Sequence, residues 1–184
     1  MKSTKQKIIA LADELIRTRG YNAFSYADIA GRLHIKNAAV HYHFPGKADL
    51  GIAVLDYEME GMHTAWQQWA ALPEDVQLQK FIRTFGLKSR EASICLMGSL
   101  TPDYATFTPA MQEKVRQMCG EIARWLTGIL EQGRKKQLFR YEGLSYDRAL
   151  VVITGLQSSL LLSRVMGPQA FERISKQLYN DLRP

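Results

Sequence analysis

Residues 25–44 read SYADIAGRLHIKNAAVHYHF and contain two short helical patterns joined by three residues. Ser25 is suited to cap the first helix, because its hydroxyl can accept a hydrogen bond from a backbone N–H and Asp28 stands at the third helical position. This helix is expected to end near Leu33. The second helix, called the reading helix below, is predicted over 37–43. The pattern is that of a helix-turn-helix, in which the second helix can enter the major groove of DNA.

The rest of the chain also repeats at helical spacing, and alternating runs of Val, Ile, Thr and aromatic residues are missing. A helix is expected between a capping pair, Ser3 and Gln6, and the breaker Gly20. A long helix is predicted from Lys47 to Leu72, before Pro73. Further helices are predicted over 74–91, 108–133, 145–166 and 168–181, and segment 92–107 is predicted to be less regular. These patterns predict an all-α fold.

Positive charge is concentrated near the N-terminus. The 184 residues have a formal net charge of +6. Residues 1–50 hold eight Lys and Arg against four Asp and Glu, a net +4, which leaves +2 for the other 134 residues. A basic segment attracts nucleic acid, because neutralising phosphates releases condensed counterions. On charge alone, a solvated basic face without a partner is the alternative.

Three features predict a cytoplasmic protein without a membrane span. The N-terminal residues form an amphipathic pattern interrupted by charges, unlike a secretory signal. The most apolar run, residues 149–162, is shorter than the roughly 20 residues that a span needs and is interpreted as a buried helix. Cys95 and Cys119 have no CxxC spacing, so reduced thiols and no structural disulfide are expected.

The sequence does not favour an enzyme. It has no Gly-rich phosphate loop and no GxSxG motif, and its carboxylates are scattered as helix-surface charges. His41 and His43 do not predict a metal site, because side chains two residues apart on a helix point in different directions and no Cys or carboxylate joins them. No catalytic residue, metal or cofactor is therefore predicted.

The segments around the helix-turn-helix resemble the TetR family of repressors. The resemblance rests on GYNAFSYADIA at residues 20–30 and AAVHYHFPGKADL at residues 38–50, where many positions agree at fixed spacing. It implies about nine helices in two parts. These are an N-terminal three-helix bundle with the helix-turn-helix, a DNA-binding domain at 1–47, and a larger effector-binding and dimerisation domain at 48–184.

The resemblance and the chemistry of the side chains assign a set of DNA contacts. Ser25 and Tyr26 stand at a helix N-terminus, where free N–H groups and the helix dipole favour a phosphate oxygen. Lys47 resembles the family's lysine that holds the DNA backbone, the alternative being an ordinary surface lysine. His43 resembles a histidine used against the backbone, the alternative being capping or packing against Phe44. The residues expected to face the bases are Lys36, Asn37, Ala38, His41 and Tyr42.

Two positions depart from the family's usual pattern. His34 occupies a turn position often held by glycine and is expected to adopt a left-handed conformation at some cost. Lys36-Asn37 stands where the family usually has Ser or Thr before the reading helix, so Asn37 is expected to serve as the cap if the helix has one. The family's preference for particular DNA sequences therefore does not transfer to this chain.

A homodimer is expected, because two reading helices one DNA turn apart add their contacts and impose a palindromic operator. The resemblance implies that the last two helices, near 145–166 and 168–181, form a four-helix interface with their mates. The first of these has apolar residues nearly all round, so it needs cover on more than one face. A plain core helix of a monomer is the alternative.

The resemblance also implies a pocket for an unknown small-molecule effector in the C-terminal part. The side chains that could line it are Trp66, Phe85, Cys95, Met97, Tyr104, Phe107, Met118 and Trp125. Ordinary core packing is the alternative for these residues. Cys95 lies in ICLMGSL, residues 94–100, which resembles a Cys-Leu-x-Gly-x-Leu element of a TetR subgroup that includes sensors of electrophiles. A buried, inert cysteine is the commoner case.

These features together predict a sequence-specific transcriptional repressor that is released from its operator by the effector. A DNA-binding activator, or an architectural DNA binder without an effector, is the alternative.

Overall fold

A computed structural model describes residues 2–91 and 93–184, and within these ranges the chain forms helices and no β-strand. The α-helices are α1 (Thr4–Arg19), α2 (Tyr26–Leu33), α3 (Asn37–His43), α4 (Lys47–Trp69), α5 (Glu74–Arg90), α6 (Leu96–Leu100), α7 (Pro109–Lys135), α8 (Ser145–Met166) and α9 (Gln169–Asn180). Short 3-10 segments cover Tyr21–Ala23 and Thr101–Thr106. The predicted all-α fold with nine helices is confirmed for the described residues.

Local capping signals set the beginnings of three helices. The Ser3 hydroxyl accepts from the Gln6 N–H and the Gln6 side chain accepts from the Ser3 N–H, so the predicted capping box of α1 is present. Ser25 and Asp28 form the same reciprocal pair at the start of α2. Thr108 caps α7, since its hydroxyl oxygen accepts from the Met111 N–H at 3.4 Å. Each cap satisfies backbone N–H groups that the first turn of a helix leaves without a partner.

The turn between α2 and α3 confirms one prediction and corrects another. His34 is left-handed, with φ 54° and ψ 43°. Asn37, however, is not the cap of the reading helix α3. Lys36 holds that position with extended backbone and no side-chain cap, because its carbonyl already accepts the first helical bond, from the Ala39 N–H at 2.9 Å.

Segment 92–107 is less regular than the rest of the chain, as its sequence predicts. Residue 92 lies outside the described residues. The remainder includes a stretch without regular secondary structure at 93–95, the five-residue helix α6 and the 3-10 segment Thr101–Thr106.

The described chain divides by its internal contacts into two compact units. Unit 1 consists of Met1–Thr64 and Leu96–Met118, and unit 2 of Ala65–Cys95 and Cys119–Pro184. Helices α4 and α7 contribute residues to both units. The boundary predicted at residue 47 divides the chain by function and stays a prediction.

The core of unit 1 supports the helix-turn-helix from behind. Helix α1 packs against α2, α3 and α6. The buried apolar side chains include Ile8, Leu11, Ala12, Leu15, Ile16, Phe24, Ile29, Val40 and Phe44. Leu33 is only half-buried. Each fully buried side chain of this size stabilises the fold by roughly 1.5–3 kcal/mol, so the short helices α2 and α3 depend on this core.

In unit 2, helices α5, α8 and α9 pack on one another. Gly155 allows α8 and α9 to approach closely, because a Cβ at this position would lie 2.8 Å from Leu178 Cδ1. A larger residue at Gly155 would therefore require the Leu178 side chain to move.

Helix α8 is 22 residues long and could cross a membrane by length and composition alone. It extends beyond both ends of the apolar run 149–162. Within the described chain it packs through eight buried residues between Ser145 and Ser163. A core helix of a soluble protein passes the same test of length and hydropathy, so α8 is weak evidence for a membrane span.

Candidate functional site

Helix α3 exposes most of the side chains that are predicted to face DNA bases. Val40 is its buried residue, with 0% of its surface exposed. The exposed residues of α3 and its cap include Lys36, Asn37, Ala38, His41 and Tyr42. Tyr42 is 84% exposed. A short helix with this polar and aromatic surface suits a major groove, which is about 12 Å wide.

Ser25 is exposed at the N-terminus of α2, where its hydroxyl is already engaged. The hydroxyl donates to Asp28 Oδ2 at 2.6 Å and accepts from the Asp28 N–H. These bonds from Ser25 hold the pKa of Asp28 below its usual value. A phosphate oxygen that approached Ser25 would therefore lie beside a carboxylate.

Tyr26 is buried and makes its contacts within the protein. Its hydroxyl donates to the Gly46 carbonyl at 2.6 Å. Its ring meets the His41 ring edge-on, with 4.7 Å between centroids. Burial is the main cause that raises the pKa of Tyr26 to about 12, and the charge of Asp49 adds to it. A phosphate contact at Tyr26 would thus fall to its backbone N–H, since the side chain is occupied.

Lys47, the first residue of α4, is half-buried over two aromatic rings. Its Nζ lies 4.3 Å from the centroid of the Phe24 ring and 4.9 Å from that of Tyr21, and it donates to the Phe24 carbonyl. Burial lowers the pKa of Lys47, while Asp103 and Asp28 act in the opposite direction. The ammonium fastens α4 to the segment before α2, and a phosphate contact would require it to exchange this carbonyl.

His43 is half-buried between its two neighbours. Its ring lies 5.2 Å from that of Tyr42 and 6.5 Å from that of Phe44. This position is compatible both with packing and with a backbone contact. In the part of the chain that the structure describes, no group of three or more His, Cys, Asp or Glu residues could hold a metal ion.

Two charged side chains of unit 1, Asp49 and Arg17, make contacts that were not predicted from the sequence. Asp49 Oδ2 accepts from the Gly46 N–H at 2.8 Å and so caps α4; an acidic residue three positions after a cap was an available signal. Arg17 is only 5% exposed and pairs with Asp13 on its own helix and with Glu58 on α4, both at 2.8 Å. The four-residue spacing to Asp13 was visible in the sequence, whereas the contact with Glu58 depends on the fold.

In unit 2, three of the predicted effector residues lie in one aromatic cluster. Trp66 of α4 and Trp125 of α7 stack, with 4.9 Å between centroids and 6° between ring planes. The ring of Phe81, in α5, contacts the rings of Trp125 and Phe85, with 5.4 Å and 5.3 Å between the respective centroids. Trp69 also contacts Trp125, at 6.2 Å. Phe81 and Trp69 were missed, although each lies one helical turn from a predicted member.

Cys95 belongs to unit 2 and is 6% exposed. Cys119 is half-buried. Burial raises the pKa of the Cys119 thiol to about 11, and the charge of Cys95 adds to the effect. Because the thiolate is the reactive form of cysteine, this environment makes Cys119 a poor nucleophile at neutral pH.

The other four predicted effector residues belong to unit 1. They are Met97, Tyr104, Phe107 and Met118, of which Tyr104 is half-buried and the rest are buried. The centroid of the Phe107 ring lies 6.3 Å from that of Tyr104 and 4.9 Å from that of Tyr21. Tyr21 belongs to the 3-10 segment that connects α1 to α2. The side-chain amide of Asn22 donates to Thr106 Oγ1 at 3.2 Å. The segment with these residues therefore touches the chain that leads into α2, and convergence of all eight on one pocket stays a prediction.

Helix α8 exposes a row of large apolar side chains. They are Tyr146, Leu150, Val151, Leu161, Leu162, Val165 and Met166, which are 39% to 88% exposed. An exposed apolar surface of this kind marks a site of association.

Comparisons with known proteins agree with the helix-turn-helix geometry. The model of the family described as "Bacterial regulatory proteins, tetR family" matches residues 8–54. The crystal structure of a TetR transcriptional regulator from Legionella pneumophila is similar, with a TM-score of 0.89 and 30% sequence identity, over 100% of this chain and 99% of that one.

Two further solved structures share the fold. A TetR-family transcriptional regulator from Agrobacterium tumefaciens has a TM-score of 0.90 and 25% identity, over 98% of this chain and 97% of that one. The reduced form of NemR from E. coli has a TM-score of 0.81 over 98% of this chain and 97% of that one, and at 15% identity it shows likeness of fold alone. A comparison with curated proteins found no match.

Proposed function

Because the chain belongs to the TetR family of bacterial transcriptional regulators, we propose that it is a repressor that binds a palindromic operator as a homodimer and leaves it when a small molecule binds. The observation that carries the proposal is the exposed polar face of α3, opposite the buried Val40. One such helix makes few base contacts. Two copies spaced by one DNA turn would supply the affinity and specificity that regulation needs.

The proposed base contacts come from the exposed face of α3 and its cap. Asn37 can pair with adenine, Lys36 with guanine or a phosphate, and Ala38 can touch a thymine methyl group. His41 and Tyr42 lie on the same exposed surface. The groups proposed to hold the DNA backbone are the side chains of Ser25, His43 and Lys47 and the backbone N–H of Tyr26, whose side chain is occupied.

The second copy of the chain is proposed to cover the exposed apolar row of α8. The row extends along the helix from Tyr146 to Met166, and α9 packs beside α8. Apolar side chains at this exposure cost solubility in a monomer, whereas pairing removes them from water. We therefore propose α8 and α9 as the interface.

An effector is proposed to bind in the region after residue 47. Within unit 2, the cluster of Trp66, Phe85 and Trp125 supplies a large apolar surface. Within unit 1, the segment with Met97, Tyr104, Phe107 and Met118 supplies another. To change operator occupancy a hundredfold, the effector must bind the released state more tightly than the bound state by about 2.7 kcal/mol. Cys95 is proposed as an apolar lining residue, since it is 6% exposed and a buried cysteine behaves as a small apolar side chain.

The cytoplasm is the proposed location, because a bacterial operator is found there. The test is a strain that lacks the gene, in which transcripts adjoining the operator are measured. We expect these transcripts to rise, and the purified protein to leave the operator duplex when the inducing compound is added. A fall in the transcripts would indicate an activator. Binding with no preference among sequences at fixed salt would indicate an architectural DNA binder.

A further inference from the structure

Tyr26 connects three segments around the reading helix. It is the first residue of α2, and its hydroxyl donates to the carbonyl of Gly46, just before α4, at 2.6 Å. Its ring lies edge-on to His41 in α3, at 4.7 Å between centroids. One buried side chain thus contacts α2, α3 and the cap of α4.

Helix α3 depends on contacts from neighbouring residues, because it buries few side chains of its own. It has seven residues, one buried side chain at Val40, and no side-chain cap at Lys36. At 1.5 Å per residue it is about 10 Å long. Its orientation therefore depends on the few neighbours that touch it from the side, and Tyr26 is one of them.

The hydrogen-bond acceptor of Tyr26 is held firmly. The Gly46 carbonyl also accepts from the backbone N–H groups of Asp49 and Leu50, at 3.1 and 3.3 Å. The Gly46 N–H donates to Asp49 Oδ2 at 2.8 Å. Tyr26 is consequently bonded to the first turn of α4 and not to a loose loop.

From this geometry we infer that Tyr26 is a positioning residue for base recognition, which fixes His41 and the reading helix relative to α2 and α4 without placing its own hydroxyl on DNA. The inference rests on the proposed function, since it concerns the same interface. Base contacts require hydrogen bonds of defined geometry, whereas phosphate contacts by charged groups tolerate small displacements. Loss of the hydroxyl should therefore affect specificity more than general DNA affinity.

The test compares Tyr26→Phe, which keeps the ring and removes the hydroxyl, with Tyr57→Phe, the same change at a 51% exposed tyrosine of α4. Dissociation constants of the full-length proteins are measured at one salt concentration for two duplexes of equal length. One is the operator selected by the wild type from a random pool, and the other has random sequence. Circular dichroism and thermal unfolding establish that each variant is folded.

We expect Tyr26→Phe to reduce the preference for the operator over the random duplex by about fivefold, as the loss of one net hydrogen bond would. The affinity of Tyr26→Phe for the random duplex should remain at the wild-type level. The affinities of Tyr57→Phe for both duplexes should also remain at the wild-type level. Equal weakening on both duplexes, or an unchanged preference, would overturn the inference and leave the proposed function intact. A wild type with no preference for any duplex would instead contradict the proposed function, and the inference with it.

Discussion

Tyr21 and Tyr26 retain their protons to higher pH than free tyrosine does. The pKa of each is raised from 10.0 to about 12, and burial is the main cause. A folded pKa above the unfolded one means that the native state binds the proton more tightly. The stability from this difference is fully present below the unfolded pKa near 10 and is lost as the pH rises through about 12.

The free energy of unfolding should accordingly fall between about pH 10 and about pH 12, and less steeply in Tyr26→Phe than in the wild type. Urea denaturation followed by circular dichroism across this range measures the effect. Tyr57→Phe, at an exposed position, should keep the wild-type dependence. The same slope in Tyr26→Phe and wild type would show that Tyr26 titrates alike in the folded and unfolded states.

Lys47→Ala should weaken binding to operator and random duplexes alike. A lost phosphate contact should also reduce the slope of log affinity against log salt by about one. Fluorescence anisotropy over a range of salt concentrations gives this slope. Lys80→Ala, at an exposed lysine of α5, serves as the control and should leave the slope unchanged. If Lys47→Ala also left it unchanged, Lys47 would serve only to fasten α4 to Phe24.

At the scale of helices, a buried ion pair fastens α1 to α4. Arg17 is 5% exposed and contacts Asp13 and Glu58 at 2.8 Å. Arg17→Ala removes the guanidinium that joins Asp13 to Glu58, whose side chains are each 25% exposed. It should destabilise the protein by about 1–3 kcal/mol, less than the loss of one partner from a fully buried pair. Arg32→Ala breaks the exposed pair with Glu14 and should cost about 0–1 kcal/mol. Urea denaturation compares the two, and equal losses would contradict the importance of the buried pair.

The exposed apolar row of α8 predicts the effect of a charge at its centre. Leu161→Asp should raise the dissociation constant of the dimer and weaken operator binding, because burial of a carboxylate without a partner is unfavourable. Analytical ultracentrifugation measures the dimer. Leu87→Asp places the same charge at a 55% exposed leucine of α5 and should leave the dimer intact. A stable Leu161→Asp dimer would exclude this face of α8 from the interface.

The beginnings of α1 and α2 were predictable because their signals are local, whereas α4 ends at Trp69 and not at the predicted Leu72. Ser3 with Gln6 and Ser25 with Asp28 act within one turn, and α8 covers the predicted range 145–166. The left-handed His34 was predictable from its place in the turn. The cap of α3 was not, because Lys36 begins this helix without any side-chain hydrogen bond.

The surroundings of the candidate DNA contacts could not be predicted in the same way. Exposure of Asn37, His41 and Tyr42 follows from helical periodicity around Val40. The bond from Tyr26 to Gly46 joins residues 20 positions apart. Lys47 over Phe24 spans 23 positions. Such contacts depend on how the helices pack. The residue types at short spacing in the sequence do not specify this packing.

For the whole molecule, the proposed operator recognition depends on two copies that bind DNA together. The net charge of +6 promotes binding to any duplex through phosphates, but it supplies no sequence preference. In the proposed function, sequence preference comes from the exposed face of α3, and palindromy comes from pairing through α8 and α9. The two properties can be observed in a single measurement.

That measurement is the selection of bound duplexes from a random DNA pool by the purified protein at near-physiological salt. We expect an enriched palindrome with half-sites centred about one helical turn, or 34–36 Å, apart. Bound DNA without any enriched sequence, lost uniformly as salt is raised, would contradict the claim that this protein recognises an operator as a dimer.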